Sequence, residues 1–323
     1  MKHRIILIIA FLFSLFNINA QLKWICVDSL FQPLPVSVHV YKTIDSLGGK
    51  PNIAYYVSAE LKNKKLDFTA DTTYRRRLTP IQFFEKNSKP LLVVNCTFFS
   101  FETNQNLNVV IKDGKMVGYN IHSIPGRGKD TLTYRHPFRS AIGINKKRVA
   151  DVAWLYTDSS SKFSLASRGS LPVINDSFQN PGKKYLFYKT SVPQHMGFEK
   201  WKMQTAVGGG PVLLQNGEIK ITNEEEMMFA GKRINEKEPR TAMGYTKDGK
   251  LIILVVQGRY PGISEGATLI EEAQIFKDLG CWEALNLDGG GSSCLLINGK
   301  NTIKPSSNGV QRPVPAVFLI KEK

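Results

Sequence analysis

One stretch of this chain gathers more potential chemistry than any other: Asn286-Leu-Asp288-Gly-Gly-Gly-Ser-Ser293. A short apolar strand over 284–287 delivers an acid to its end, and three glycines follow at once. Three consecutive glycines are costly in backbone entropy, so they suit a place where the chain turns sharply or lets a ligand approach. The successive N–H groups of Gly289, Gly290 and Gly291, with Ser292 beside them, can form an anion-binding concavity. Asp288 has no cationic neighbour in sequence and is the first candidate for an acid, base or nucleophile. A tight turn capped by Asp is the plainer account of a lone glycine run. A second run, Gly208-Gly209-Gly210-Pro211, makes that account less sufficient. Neither run has the phosphate-loop spacing Gly-x-x-x-x-Gly-Lys-Ser/Thr. Neither matches Gly-x-Ser-x-Gly, so a serine-hydrolase elbow is unsupported.

Further residues could join this site. Arg240 and Arg259 stand at strand ends, and a planar guanidinium suits phosphate better than a lysine does. Glu271 falls in the first turn of an expected helix, where it could be acid, base or mere cap. Asn95, ending an apolar strand, could hold a sugar hydroxyl or tie down its own turn. His122, His136 and His195 lie in unrelated turn-rich contexts and receive no role. No Cys or His pair has zinc spacing. No cofactor is called for, and a divalent cation on Asp288 and nearby carbonyls stays open.

The elements that must position these residues read mostly as strands: 36–41, 53–60, 91–94, 149–156, 185–188, 212–214, 251–256 and 317–320. Asp113-Gly114, Asn216-Gly217, Asp248-Gly249 and Asn298-Gly299 are hairpin dipeptides between apolar runs. Two helices stand out. One covers 79–87, with Thr79 as cap and Pro80 in the first turn. The other opens with Thr268 and Glu271 in capping-box spacing and stops at Gly280. Phe138-Arg-Ser-Ala-Ile-Gly-Ile144 also echoes Pro239-Arg-Thr-Ala-Met-Gly-Tyr245, which marks either a duplicated sheet unit or two strands obeying similar rules. The expected fold is α+β: one large domain of predominantly antiparallel sheets with a few packed helices.

The N-terminus has the three parts of a secretory signal: a basic head at Lys2, His3 and Arg4, an apolar run over 5–16, and small or polar residues ending at Ala20. The run is too short to span a bilayer. We therefore expect residues 1–20 to be removed, leaving 21–323 as an exported chain, periplasmic, cell-envelope or secreted, with no transmembrane segment. Four cysteines allow one or two disulfides without requiring them. The formal net charge of +16 can attract nucleic acid, anionic glycans, phosphate esters or membrane surfaces, and a solvated basic surface is the plainer reading. The charge is scattered, apart from Lys62-Asn-Lys-Lys65 and Arg75-Arg-Arg77, and no nucleic-acid-binding motif is present, so nucleic acid is not an expected partner.

Taken together, Gly210-Pro-Val-Leu213 with Asn216-Gly217, Arg240-Thr-Ala-Met-Gly244, Gly258-Arg259, Thr268-Leu-Ile-Glu271 and Ala284-Leu-Asn-Leu-Asp-Gly-Gly-Gly-Ser-Ser293 resemble the successive motifs of the phosphodiester glycosidase family. Val94-Asn-Cys-Thr-Phe-Phe99 and Arg312-Pro-Val-Pro315 resemble its earlier and closing motifs. The similarity runs from about residue 50 to the C-terminus and is strongest after residue 205. It implies hydrolysis of an α-linked sugar from a phosphodiester or related glycoconjugate. Asp288 and Glu271 would be the two carboxylates of an ordinary glycosidase. Asn95, Gly208, Gly209, Gly210, Arg240, Thr241, Arg259, Gly289, Gly290, Gly291 and Ser292 would bind substrate. Cys96 and Thr97 stand where the family has glycines, and Gln257 stands where it has Asp. Those departures favour the alternative, a non-catalytic glycan-binding envelope protein that retains the fold.

Overall fold

The computed structural model describes residues 21–126, 130, 132–177 and 197–323. The expected export signal over 1–20 and the strand expected at 185–188 lie outside the described residues. Among the described residues every strand pairing is antiparallel. An eight-stranded sheet runs, in spatial order, through Ile25–Cys26, Val38–Thr43, Ala54–Glu60, Lys250–Val256, Arg240–Thr246, Cys281–Asn286, Val212–Gln215 and Glu218–Ile219. A seven-stranded sheet has Arg139–Ile144 at its centre, between Ala150–Tyr156 and Thr205–Gly208. A five-stranded sheet places Leu92–Asn95 between Leu295–Ile297 and Ala316–Glu322.

The three sheets share one core. Met243, Ile253 and Val255 meet Leu92, Val94 and Phe318, and also Ile142, Val152 and Val207. This explains why 251–256 and 91–94 are apolar throughout instead of alternating. Successive strand residues point to opposite faces, and both faces of these strands are covered. Ile252, Leu254 and Val256 pack under the helix Leu269–Asp278, while Val93 packs under the helix Pro80–Lys86. Both helices carry the expected capping boxes, at Thr79/Gln82 and Thr268/Glu271. All four turn dipeptides join adjacent antiparallel strands, as expected.

Helix is scarcer than the α+β expectation allowed. The α-helices among the described residues are Pro80–Lys86, Asn223–Glu226 and Leu269–Asp278, so the fold is mainly β. Short apolar runs closed by turn dipeptides leave little chain with helical periodicity. The four cysteines are unbridged, with Cys26 exposed and the others buried.

One buried carboxylate ties two sheets together. Glu226 accepts from the Ser140 N–H (2.9 Å), Ser140 Oγ (2.6 Å), Trp154 Nε1 (3.1 Å), Val212 N–H (3.0 Å) and Thr222 Oγ1 (2.6 Å). Burial pushes its pKa up, while these donors pull toward the charged form.

Candidate functional site

Asp288 follows directly after strand Cys281–Asn286 and Leu287, and its position is over-determined by backbone bonds. Its N–H donates to Cys96 O (2.8 Å), and its carbonyl accepts from Asn95 Nδ2 (2.5 Å). The Leu287 N–H donates to Thr241 O (2.8 Å), and the Gly290 N–H to Pro239 O (2.7 Å). Asn95 is a junction: its Oδ1 accepts from Thr241 Oγ1 (3.0 Å) and from the Cys294 N–H (3.0 Å). Asn95 and Thr241 are fully buried, and the contacts of both side chains are with protein. They brace the loop from below. Of the two roles open to Asn95, the geometry supports the tie.

The carboxyl group of Asp288 is reached by Ser292 and by the Gly289 N–H, and the charge of Arg312 acts on it. Its Oδ2 is nevertheless buried without a partner, as is Ser293 Oγ. Burial dominates and pushes its pKa from 3.8 up to about 7. An acid placed there exchanges its proton near neutrality.

One guanidinium group, that of Arg312, acts on this carboxyl group, and those of Arg259 and Arg77 act on Arg312 in turn. Arg312 Nη1 donates weakly to Ser292 Oγ (3.4 Å), and the charges of Asp288, Arg259 and Arg77 all act on Arg312. A methyl group on Gly290 would lie 3.1 Å from Arg259 Nη2, and one on Gly291 would collide with the Arg312 guanidinium. The glycines thus let two arginines close directly on the loop backbone. Arg77 and Arg312 flank the exposed Phe101 ring, each guanidinium carbon 5.5 Å from its centre. Arg259 donates to Glu238 (2.7 Å), whereas Arg77 and Arg312 form no ion pair among the described residues.

Other expected members stand elsewhere. Arg240 and Thr241 are consecutive strand residues and therefore face opposite ways. Thr241 points to Asn95 beneath Asp288. Arg240 lies on the helix side, donating to Ala267 O (2.8 Å) and Glu236 O (3.0 Å), and burial lowers its pKa. Glu271 is there too, with Oε2 on the Thr268 N–H (2.8 Å) and Oε1 on Lys237 Nζ (2.6 Å). It is a cap and an ion-pair partner, away from the groups that act on Asp288. Gly208, Gly209 and Gly210 are buried, and their N–H groups donate to Val109 O, Ser140 O and Asn286 O. They pack against the strand carrying Asp288. Likewise the Gly290 N–H is taken by Pro239 O and the Gly289 N–H reaches the Asp288 carboxyl group, while Arg259 and Arg312 close on the same loop.

The departures from the family pattern find structural places. Cys96 and Thr97 are buried. Cys96 joins the shared core, and Thr97 Oγ1 donates to Asn106 Oδ1 (2.5 Å). Gln257 Oε1 accepts from the Lys304 N–H (2.8 Å) and so supports the loop whose Ser306 Oγ donates to Gly290 O (3.2 Å). Among the described residues no three His, Cys, Asp or Glu side chains cluster as metal ligands would. A divalent ion at Asp288 would have to rely on carbonyl oxygens.

Arg77 and Phe101 were not singled out for the site by the sequence, and Arg312 entered only within a closing motif. The run Arg75-Arg-Arg77 was the one available signal.

Comparison with known proteins bears on the family and the fold. The chain is 42% identical over 87 residues to the SPbeta prophage-derived protein YomE of Bacillus subtilis, a match covering 27% of the chain and 13% of that protein. It is 31% identical over 104 residues to the mouse N-acetylglucosamine-1-phosphodiester alpha-N-acetylglucosaminidase, covering 30% of the chain and 20% of the enzyme. These matches thus span a fifth or less of each relative. The zebrafish enzyme's catalytic domain, solved auto-inhibited by its pro-peptide, superposes with a TM-score of 0.57 at 21% identity, covering 94% of this chain and 89% of that one. A protein from Synechocystis superposes with a TM-score of 0.62 at 15% identity, covering 89% and 62%. These structural likenesses establish the fold. The family model for phosphodiester glycosidase matches residues 88–321, and the chain belongs to that family.

Proposed function

We propose that this chain is an exported glycosidase that hydrolyses an α-linked sugar from a phosphodiester, with Asp288 as its base. The carrying observation is a carboxyl group with a buried, unpartnered Oδ2 under the charge of Arg312, with Arg259 and Arg77 close enough to act on Arg312. Arg259, Arg312 and Arg77 bind the phosphodiester, and the sugar's anomeric carbon is presented to Asp288. Water adds to that carbon and gives its proton to the Asp288 carboxylate. The carbon–oxygen bond breaks, and its electron pair leaves on the phosphate oxygen, where the arginines hold the new charge. The products are the free sugar and a phosphomonoester.

This scheme explains why a second carboxylate is not needed beside Asp288. An ordinary glycosidase protonates a poor alkoxide leaving group. A phosphate monoester leaves as a stable anion, and guanidinium groups do for it what a general acid does for an alkoxide.

Incubating the chain with an α-linked sugar 1-phosphate methyl diester tests the reading. Stoichiometric release of sugar and methyl phosphate is expected. If the diester binds and neither product forms, the chain is instead a glycan-binding protein on a glycosidase fold.

A further inference from the structure

The cations at this site outnumber what one phosphodiester requires. Arg77 meets Arg312 across the Phe101 ring, with Arg75 and Arg76 next to it in sequence; Arg259 also acts on Arg312, and Lys304 Nζ lies 4.8 Å over the Tyr260 ring. Among the described residues, only Arg259 of these six forms an ion pair. A phosphodiester carries a single negative charge, which one or two guanidiniums satisfy. The remaining cations repel one another until further negative charge arrives.

The arginine run is a built feature. Its loop is bonded at both ends to the segment that carries Arg312: the Thr73 N–H donates to Pro315 O (2.8 Å), and Leu78 and Val314 exchange backbone bonds of 3.0 and 2.8 Å. Arg75 sits at φ +51 and covers the Tyr74 ring at 5.2 Å. Tyr74 is 79% exposed and Phe101 65%. Arg312 and Arg77 flank the open Phe101 ring, and in the same loop as Arg77 the open Tyr74 ring is covered by Arg75, so cations and open rings stand side by side here. A chain of sugar phosphates likewise sets apolar sugar faces between anionic links.

We propose that the natural ligand is an oligomeric glycan with repeating phosphodiester links, and that Tyr74, Arg75 and Arg76 hold a repeat beyond the one being cleaved. This rests on the catalytic reading above for the position of the reacting bond.

The test separates the two. In the chain carrying Asp288→Asn, affinity for a four-repeat sugar phosphate is measured by calorimetry against that for one repeat. Tighter binding of the longer ligand is expected. Adding Arg75→Gln and Arg76→Gln should weaken four-repeat binding about tenfold and one-repeat binding less than about twofold, with a shallower salt dependence. Lys64→Gln with Lys65→Gln removes equal charge from another exposed stretch and should change neither. Equal affinity for one and four repeats would overturn the proposal. So would equal weakening by the two double variants, because net charge alone would then be acting. Turnover of the one-repeat diester by the unsubstituted chain is measured separately, so loss of either reading leaves the other visible.

Discussion

Replacing Asp288 by Asn should make the protein slower and, above neutrality, more stable. Asn keeps the size and most of the hydrogen bonding while removing the charge. The rise of the carboxyl pKa from 3.8 to about 7 corresponds to about 4 kcal/mol, at about 1.4 kcal/mol for each tenfold change in proton affinity. That is the cost of ionising the group in the fold relative to the unfolded chain. The residue keeps part of its surface open, so solvent screening reduces the figure to roughly 2 kcal/mol. The sign follows from the raised pKa. The favourable contribution of the protonated group is fully present below pH 3.8 and is lost as pH rises through 7. The Asn variant does not lose it. Denaturant unfolding of both proteins at pH 4 and pH 8 should show the variant gaining on the parent by about 2 kcal/mol between the two. Turnover of a sugar 1-phosphate diester should fall by a factor of roughly 10² to 10⁴, the usual contribution of a positioned acid or base. A variant that is less stable at pH 8, with activity lost in proportion, would mean that Asp288 only braces its loop. A folded variant with unchanged turnover would remove it from the chemistry.

Because the base must be ionised, kcat should rise with pH through about 7 and fall about tenfold per pH unit below it; a flat profile from pH 5 to 8 would contradict the assignment. Glu271→Ala should leave turnover unchanged and cost about 0.5–2 kcal/mol of stability through the lost cap, read from a denaturant midpoint. Gln257→Asp should keep an acceptor for the Lys304 N–H and change turnover less than about twofold, whereas Gln257→Ala should lose about 1 kcal/mol of stability. A large gain of turnover in Gln257→Asp would instead show that the parent site is disabled. Gly210→Ala should destabilise by about 1–3 kcal/mol or more, because φ is +126 and the new methyl would lie 2.5 Å from Glu226 Oε2; a thermal melt checks it.

Local chemistry made much of the framework legible. The turn dipeptides marked hairpins, Thr268 with Glu271 marked a helix start, and the apolar runs marked strands covered on both faces. Assembly of the site was less legible, and Arg240 shows why. Its neighbour Thr241 points to Asn95, which braces the Asp288 loop, and strand geometry turns Arg240 to the other side. Nothing in a motif says which face carries the chemistry. Glu271 misled for a related reason: a capping glutamate and a catalytic glutamate have the same sequence environment, and only the partners Thr268 and Lys237 separate them. Arg77 and Arg312 come from segments distant in sequence that meet through the bonds of Thr73 and Leu78 to Pro315 and Val314.

The internal echo explains why the chain has two glycine runs and a carboxylate beside only one of them. Arg139–Ile144 and Arg240–Thr246 are central strands of the seven- and eight-stranded sheets, each forming a hairpin with the strand that follows. Each also pairs on its other side with a later strand, Thr205–Gly208 or Cys281–Asn286. The registers Ala141↔Gly208 and Ala242↔Asn286 make Gly208 the counterpart of Asn286. The bonds from Gly209 N–H to Ser140 O and from Leu287 N–H to Thr241 O then correspond as well. One residue further, Gly210 is the counterpart of Asp288. The halves touch here, the Gly210 N–H donating to Asn286 O (2.8 Å) and Asn286 Nδ2 returning a bond to Gly210 O (2.7 Å). At the first position a side chain would run into Glu226, which is committed to holding two sheets together. At the second, the strand end opens toward Arg259 and Arg312, and a carboxyl group fits. The same backbone device therefore serves packing in one half and presents a carboxyl group in the other, and what separates them is whether a side chain has room at the strand end.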